Sequence, residues 1–269
     1  SAYFQMNQRR GVRWSATKAF LRPALSRPNL TVITHALVDR VRTGTTDGML
    51  RADGIEFAHP RDGRCFAQAA GETILAAGSI GSPQILQLSG IGSAALLAAR
   101  GIVPIHDLAG VGENLHDHLQ IRMQYKVRNT VTLNERANSF FGKLAMGLEY
   151  ALFKTGPLTM PPSQLGAFAR SNPDEPTPNI EWHVQPLSLD KFGDPLHRFP
   201  AFTASVCNLR PASRGHVRIR SADPRAHPAI TLNYLSAPED RRIAAVALRM
   251  TRRVVTGTET MRKYQPEEF

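Results

Sequence analysis

The sequence predicts an α/β part followed by an α+β part built on an antiparallel sheet. Two observations predict it. The short apolar segment Glu72–Ala77 runs through glycines into a helix, as a strand buried on both faces of an α/β sheet does. After Leu119 the chain turns to short strands parted by proline-rich loops. A chain of 269 residues, 42% hydrophobic and 20% charged, can bury the core of one large domain or two smaller ones.

The elements follow in order. Ser15 is a plausible N-cap for a helix over 16–25, with Pro23 disturbing its last turn. The β-branched run 30–41 reads as a strand. Asp47-Gly48 is a turn signal before a second strand at 49–58, and Asp62-Gly63 leads to a third. Glu72–Ala77 is the buried strand. Ser82 as N-cap and Pro83 at the first helical position open a helix that ends near Ser89-Gly90. Another helix, 94–100, stops at Gly101. Beyond Leu119, strands are expected at 119–127, 180–185, 201–209, 216–219 and 230–234, with a helix at 139–153. The last helix, 237–255, opens on Ser236-Ala-Pro-Glu239 as a capping box and shows an apolar stripe of Ile243, Val246, Ala247, Met250 and Val254. No internal repeat or low-complexity tract interrupts this order.

Composition excludes several functions. The net charge is +11 and the pI about 10.3, but the basic residues are scattered, without an aromatic RNA-binding signature or basic tail. No nucleic-acid partner is expected. Cys65 and Cys207 show no metal or redox spacing. With no signal peptide and no apolar run long enough to span a bilayer, these thiols point to the cytoplasm, with peripheral attachment to a membrane left open. No serine has the flanking glycines of a nucleophile elbow, and no zinc-protease motif occurs. His116 and His118 could converge on a metal from one strand face, yet no third histidine stands at a recognisable spacing, so no metal site is expected.

The most specific signal is Gly78–Gly92, GSIGSPQILQLSGIG. A glycine ending a buried strand lets a ligand approach the main chain, and the helix behind it offers unpaired N–H groups. The whole segment resembles the second signature of the glucose–methanol–choline (GMC) oxidoreductases, and every constrained position is met. Four further stretches are similar to that family, in its order: Gly11–Pro23, Asn29–Val38, the loop Gly110-Val-Gly-Glu-Asn114-Leu-His-Asp-His118, and Ser213–Ser236. The texture is nearest to the choline dehydrogenase-like branch.

The resemblance implies a partial FAD-binding domain at 1–118 and a substrate-binding domain at 119–269. It implies FAD as cofactor, with Val38, Ala77, Gly78, Ser79, Ser82 and Asn114 against it. It implies oxidation of a primary alcohol, choline or a related one, to an aldehyde by hydride transfer to flavin N5; the electron acceptor stays open. Glu181, His183 and Gln185 form the polar face of one strand, and the resemblance places His183 and Gln185 in the substrate pocket. The family's Gly-x-Gly-x-x-Gly turn is absent from these residues, and its catalytic histidine is expected beyond Phe269. The chain alone is therefore expected to be inactive. The competing expectation is a non-catalytic module that binds a small molecule or a protein.

Overall fold

The structure is a computed structural model that describes residues 1–269. The chain forms two compact units, one of 1–30, 118–212 and 237–269, the other of 31–117 and 213–236. Strand pairing joins the N-terminal residues to the first unit and 213–236 to the second. Ala2–Tyr3 is an edge strand beside Leu165–Ala169, and Gly215–Arg218 pairs with Glu113–Leu115. Fold class agrees with the sequence: a mixed α/β unit and an α+β unit with an antiparallel sheet.

The first unit is built on six antiparallel strands in the order Ala2–Tyr3, Leu165–Ala169, Ile180–Gln185, Ala201–Asn208, Ile121–Lys126 and Glu267–Glu268. Alternation along each strand sends apolar residues to one face and polar residues to the other. The apolar face, with Ile180, Trp182 and Val206, packs on the helix Pro238–Gly257 through Ile243 and Ala247. The helix buries Thr251 and Val255, while Val254, expected inside, is 55% exposed. Thr251 wins the inward position because its hydroxyl serves a buried indole: Trp182 Nε1 donates to Thr251 Oγ1 at 2.7 Å, and Thr251 Oγ1 donates to the Ala247 carbonyl at 2.8 Å. The N-cap position falls on Ala237, one residue after the expected Ser236, with Pro238 next.

Two further helices belong to this unit. Ser139 caps Phe140–Phe153, accepting from the Gly142 N–H at 3.3 Å. Before it stands Leu133–Asn138, which periodicity missed, held by a capping box of Thr132 and Glu135. Its Asn134 is fully buried and fastens the loop 186–200: the amide donates to Ser188 Oγ and the Phe199 carbonyl and accepts from the Ser188 N–H.

The second unit holds the meander Leu37–Thr46, Met49–His59 and Gly63–Gln68. Asp47 and Gly48, at φ 50° and 74°, make its two-residue turn, as Asp-Gly does in a type I′ hairpin. Residues 30–36 lie outside the first strand, which begins at Leu37. A smaller sheet joins Ala229–Thr231, Gly215–Arg218 and Glu113–Leu115. Glu72–Ala77, expected as a buried strand, forms no strand, and Ile74 is 81% exposed. No strand of this chain stands beside it, so its apolar run has no ladder to join. At the other end of the chain order, 16–25 is helical only over Thr17–Ala24, with Ala16 at the cap position.

Tyr125 supplies a pH test. It is fully buried among Met123, Ala204 and Val255, and burial, aided by Glu268, pushes its hydroxyl up to about 12. An unfolded tyrosine ionises near 10. Between those values the folded chain keeps a proton that the unfolded chain has released. Stability is therefore full below about pH 10 and declines as pH rises toward 12. Tyr125→Phe should flatten that alkaline decline in urea unfolding; an unchanged slope would contradict the assignment.

Candidate functional site

The helix Gly78–Leu88 carries the motif, and its beginning departs from expectation. Gly78 adopts φ 77°, which lets the helix start four residues before the anticipated Ser82 cap. Pro83 consequently sits inside the helix and cannot donate to the Ser79 carbonyl. Ser82 turns back instead, its Oγ accepting from the Ala77 N–H at 3.1 Å.

The deepest organiser of this unit is Gln87, fully buried in the same helix. Its Nε2 donates to the carbonyls of Val111 at 3.2 Å and Val217 at 3.0 Å, and its Oε1 accepts from the Ile219 N–H at 2.9 Å. One side chain thus holds the loop 110–112 and the strand Gly215–Arg218 against the helix. Gly112 makes this possible. It sits at φ 82°, and a Cβ there would press on the Val217 carbonyl oxygen and the Gln87 amide nitrogen. The Val217 N–H closes the arrangement on the Gly112 carbonyl at 2.6 Å. On the far side Ser89 Oγ accepts from the Val41 N–H at 2.8 Å, joining the meander to the helix.

These bonds open a cleft of about 530 Å³, within the range of small-molecule sites, between the helix start and the loop 110–116. Ser79, Ser82 and Pro83 form one wall, and Gly110, Gly112 and Asn114 another. Asn114 takes φ 60°, a conformation asparagine tolerates better than most residues. Glu113 is held by Arg218, whose Nε and Nη2 donate to its Oε1 at 3.1 and 2.9 Å. Asp117 accepts from the Tyr234 hydroxyl at 2.9 Å; burial, together with that carboxylate, raises the Tyr234 hydroxyl above the ordinary tyrosine range.

Of the anticipated cofactor residues, Ser79, Ser82 and Asn114 share this cleft, while Ala77 and Gly78, at the start of the helix, are not among its lining residues. Val38 lies in the meander, paired with Phe57, outside the cleft walls. Gln87 and Gly112 were not anticipated. A lone amide inside the apolar run Ile85-Leu86-Gln87-Leu88 was the available signal.

His183 and Gln185 stand in the other unit, on the polar face of its sheet. Glu181 and His183 are paired, Oε1 to Nε2 at 3.2 Å, and Phe4 stacks on the His183 ring with centroids 4.8 Å apart. Gln185 is 5% exposed; its Nε2 donates to Ser163 Oγ at 3.0 Å, while its Oε1 is buried with no protein donor in reach. A cleft of about 610 Å³ on the opposite, apolar face of the sheet offers no charged side chain to orient a polar guest.

Family comparison agrees with the motif. The N-terminal model of the GMC oxidoreductases matches residues 1–120, and the C-terminal model matches 211–269. The chain is 38% identical over 245 residues to an oxygen-dependent choline dehydrogenase of Paraburkholderia xenovorans, covering 91% of this chain and 43% of that protein. It is 40% identical over 246 residues to the same-named protein of Escherichia coli, at 91% and 43% coverage. The chain thus spans less than half the length of these curated relatives. Among solved structures, a formate oxidase variant of Aspergillus oryzae, described for its effect on FAD modification, superposes with a TM-score of 0.87 at 22% identity, covering 97% of this chain and 49% of that one. An FAD-dependent oxidoreductase of Chaetomium thermophilum gives 0.85 at 23% identity, covering 98% and 51%. These two likenesses speak for the fold.

Gln87 can be tested directly. Gln87→Leu leaves two carbonyls and one N–H buried and unpaired, and should cost about 3 kcal/mol in urea unfolding. Ser82→Ala, which removes one exposed bond, should cost under about 1 kcal/mol. Equal losses would deny Gln87 its organising role.

Proposed function

The chain belongs to the GMC oxidoreductases, a family of FAD flavoproteins, and from that premise we propose that it forms part of an enzyme oxidising a primary alcohol, choline or a close relative, to the aldehyde. The single observation that carries the proposal is the meeting of Ser79, Ser82 and Asn114 in one cleft, because two motifs far apart in sequence converge there.

The residues present suit a flavin. A planar ring with polar edges needs main chain close by and donors along its rim. Gly110, in the cleft wall, leaves main chain open to a ring, since a Cβ there would meet no atom within 4 Å. The first N–H groups of an 11-residue helix, with the Ser79 and Ser82 hydroxyls, supply donors. The chemistry that FAD supplies when bound is acceptance of the carbinol hydride at flavin N5. This chain's part is to hold the cofactor's rim and to bind the alcohol.

Alcohol binding falls to the polar sheet face. Gln185 Oε1 is an acceptor for a hydroxyl, and His183 is held in place by Glu181 and Phe4. A quaternary ammonium favours an aromatic face and a carboxylate. Phe4 offers the aromatic face here, whereas Trp182 points to the helix and takes no part. That choice of substrate draws on the likeness to the choline dehydrogenases.

FAD titrated into the chain should lose fluorescence on binding. Asn114→Gly keeps the backbone conformation accessible while removing the amide, and should weaken binding about tenfold, near 1.4 kcal/mol. Binding equal in wild type and variant, or none at all, would defeat the cofactor assignment. Choline, in turn, should shift the His183 ring resonances, and Gln185→Leu should weaken that response by about tenfold; silence of His183 throughout would remove choline as the substrate.

A further inference from the structure

We propose that His118, Glu181 and Cys207 form a binding site for a zinc-class divalent cation. Strand register brings two of them together: Glu181 and Cys207 are directly opposed in the antiparallel pair Ile180–Gln185 and Ala201–Asn208, so their side chains share a face. His118, three residues before the strand Ile121–Lys126, reaches the same point. One donor atom from each lies within 4.8 Å of the others.

The donor set is the argument for zinc. A thiolate, an imidazole and a carboxylate bind it at about 2.0–2.3 Å in a tetrahedron, which places donors about 3.3–3.8 Å apart. The three groups need to close by only about 1 Å, within the reach of side-chain rotation. The thiol argues against magnesium and calcium, which take oxygen donors.

The surroundings already provide what metal ligands use to hold their orientation. His118 Nε2 lies 3.1 Å from the Leu209 carbonyl, the kind of main-chain contact that orients a metal-binding imidazole. The Glu181 carboxylate is held in turn by His183 at 3.2 Å. Cys207 is 2% exposed, which shields the sulfur, while His118 is exposed and gives the ion a way in. On binding, the Cys207 thiol loses its proton to water as the sulfur–metal bond forms. Nothing is oxidised or reduced, and the fourth position goes to a water molecule. His116 takes no part: it lines the cleft of the other unit.

The test is a titration of the metal-free chain with Co²⁺, followed by displacement with Zn²⁺. One equivalent should give tetrahedral visible bands and a thiolate-to-cobalt charge-transfer band in the near ultraviolet, both lost on adding Zn²⁺. Cys207→Ser should abolish the charge-transfer band, and Cys65→Ser should leave it intact. Should Cys207→Ser fail to fold, His118→Ala on the exposed ligand decides, with affinity expected to fall at least about tenfold. No charge-transfer band in the wild type, a band that survives in Cys207→Ser or vanishes in Cys65→Ser, or unchanged affinity in His118→Ala would each overturn the site.

Discussion

The second unit depends on one buried amide. Gln87 satisfies two carbonyls and one N–H that belong to neither its own helix nor its own stretch of chain. A hydrophobic side chain of the same size would fill the space and leave three main-chain groups without partners, which a protein interior rarely tolerates. Gly112 answers the same demand from the other side, since only a residue without a Cβ lets the loop come this near. The positions of Ser79, Ser82 and Asn114 around the cleft follow from this fastening together with the packing of Leu88 and Leu97 on Ile219.

The first unit obeys a different constraint. The period of two along its strands separates an apolar face that packs on a helix from a more polar one. Ile180, Trp182 and Val206 belong to the first; Glu181, His183, Gln185 and Cys207 belong to the second. Even the packed face keeps one polar link, because the Trp182 indole required an acceptor and Thr251 supplied it. The loop 186–200 is tied down by Asn134 and also by Arg122, whose Nη2 donates to the Leu189 carbonyl at 2.9 Å.

Local chemistry was the part legible beforehand. The Asp47-Gly48 turn, the helix expected at 139–153 and the strand Ile180–Gln185 depend on neighbouring residues, and each stands where the residues place it, the helix within one residue. The motif at Gly78–Gly92 was legible as a pattern, but the start of its helix was not, since a glycine at positive φ shifted the cap away from Ser82. Glu72–Ala77 misled because an apolar run is only a strand when another strand lies alongside. The helix Leu133–Asn138 lacks apolar period and shows only through its Thr132 and Glu135 cap. The meeting of His118, Glu181 and Cys207 has no sequence spacing at all; it is created by strand register.

The Gln87 bonds carry one more consequence, for how the molecule is made. Their partners lie 130 and 132 residues downstream. During synthesis the amide emerges long before Val217 and Ile219, and a ribosome must add more than a hundred residues before the cleft can take its final form. Contacts of such separation pay their loop-closure cost late and slow the approach to the native state. The helix must therefore wait for its partners, and binding at this cleft requires the chain at least through Ile219.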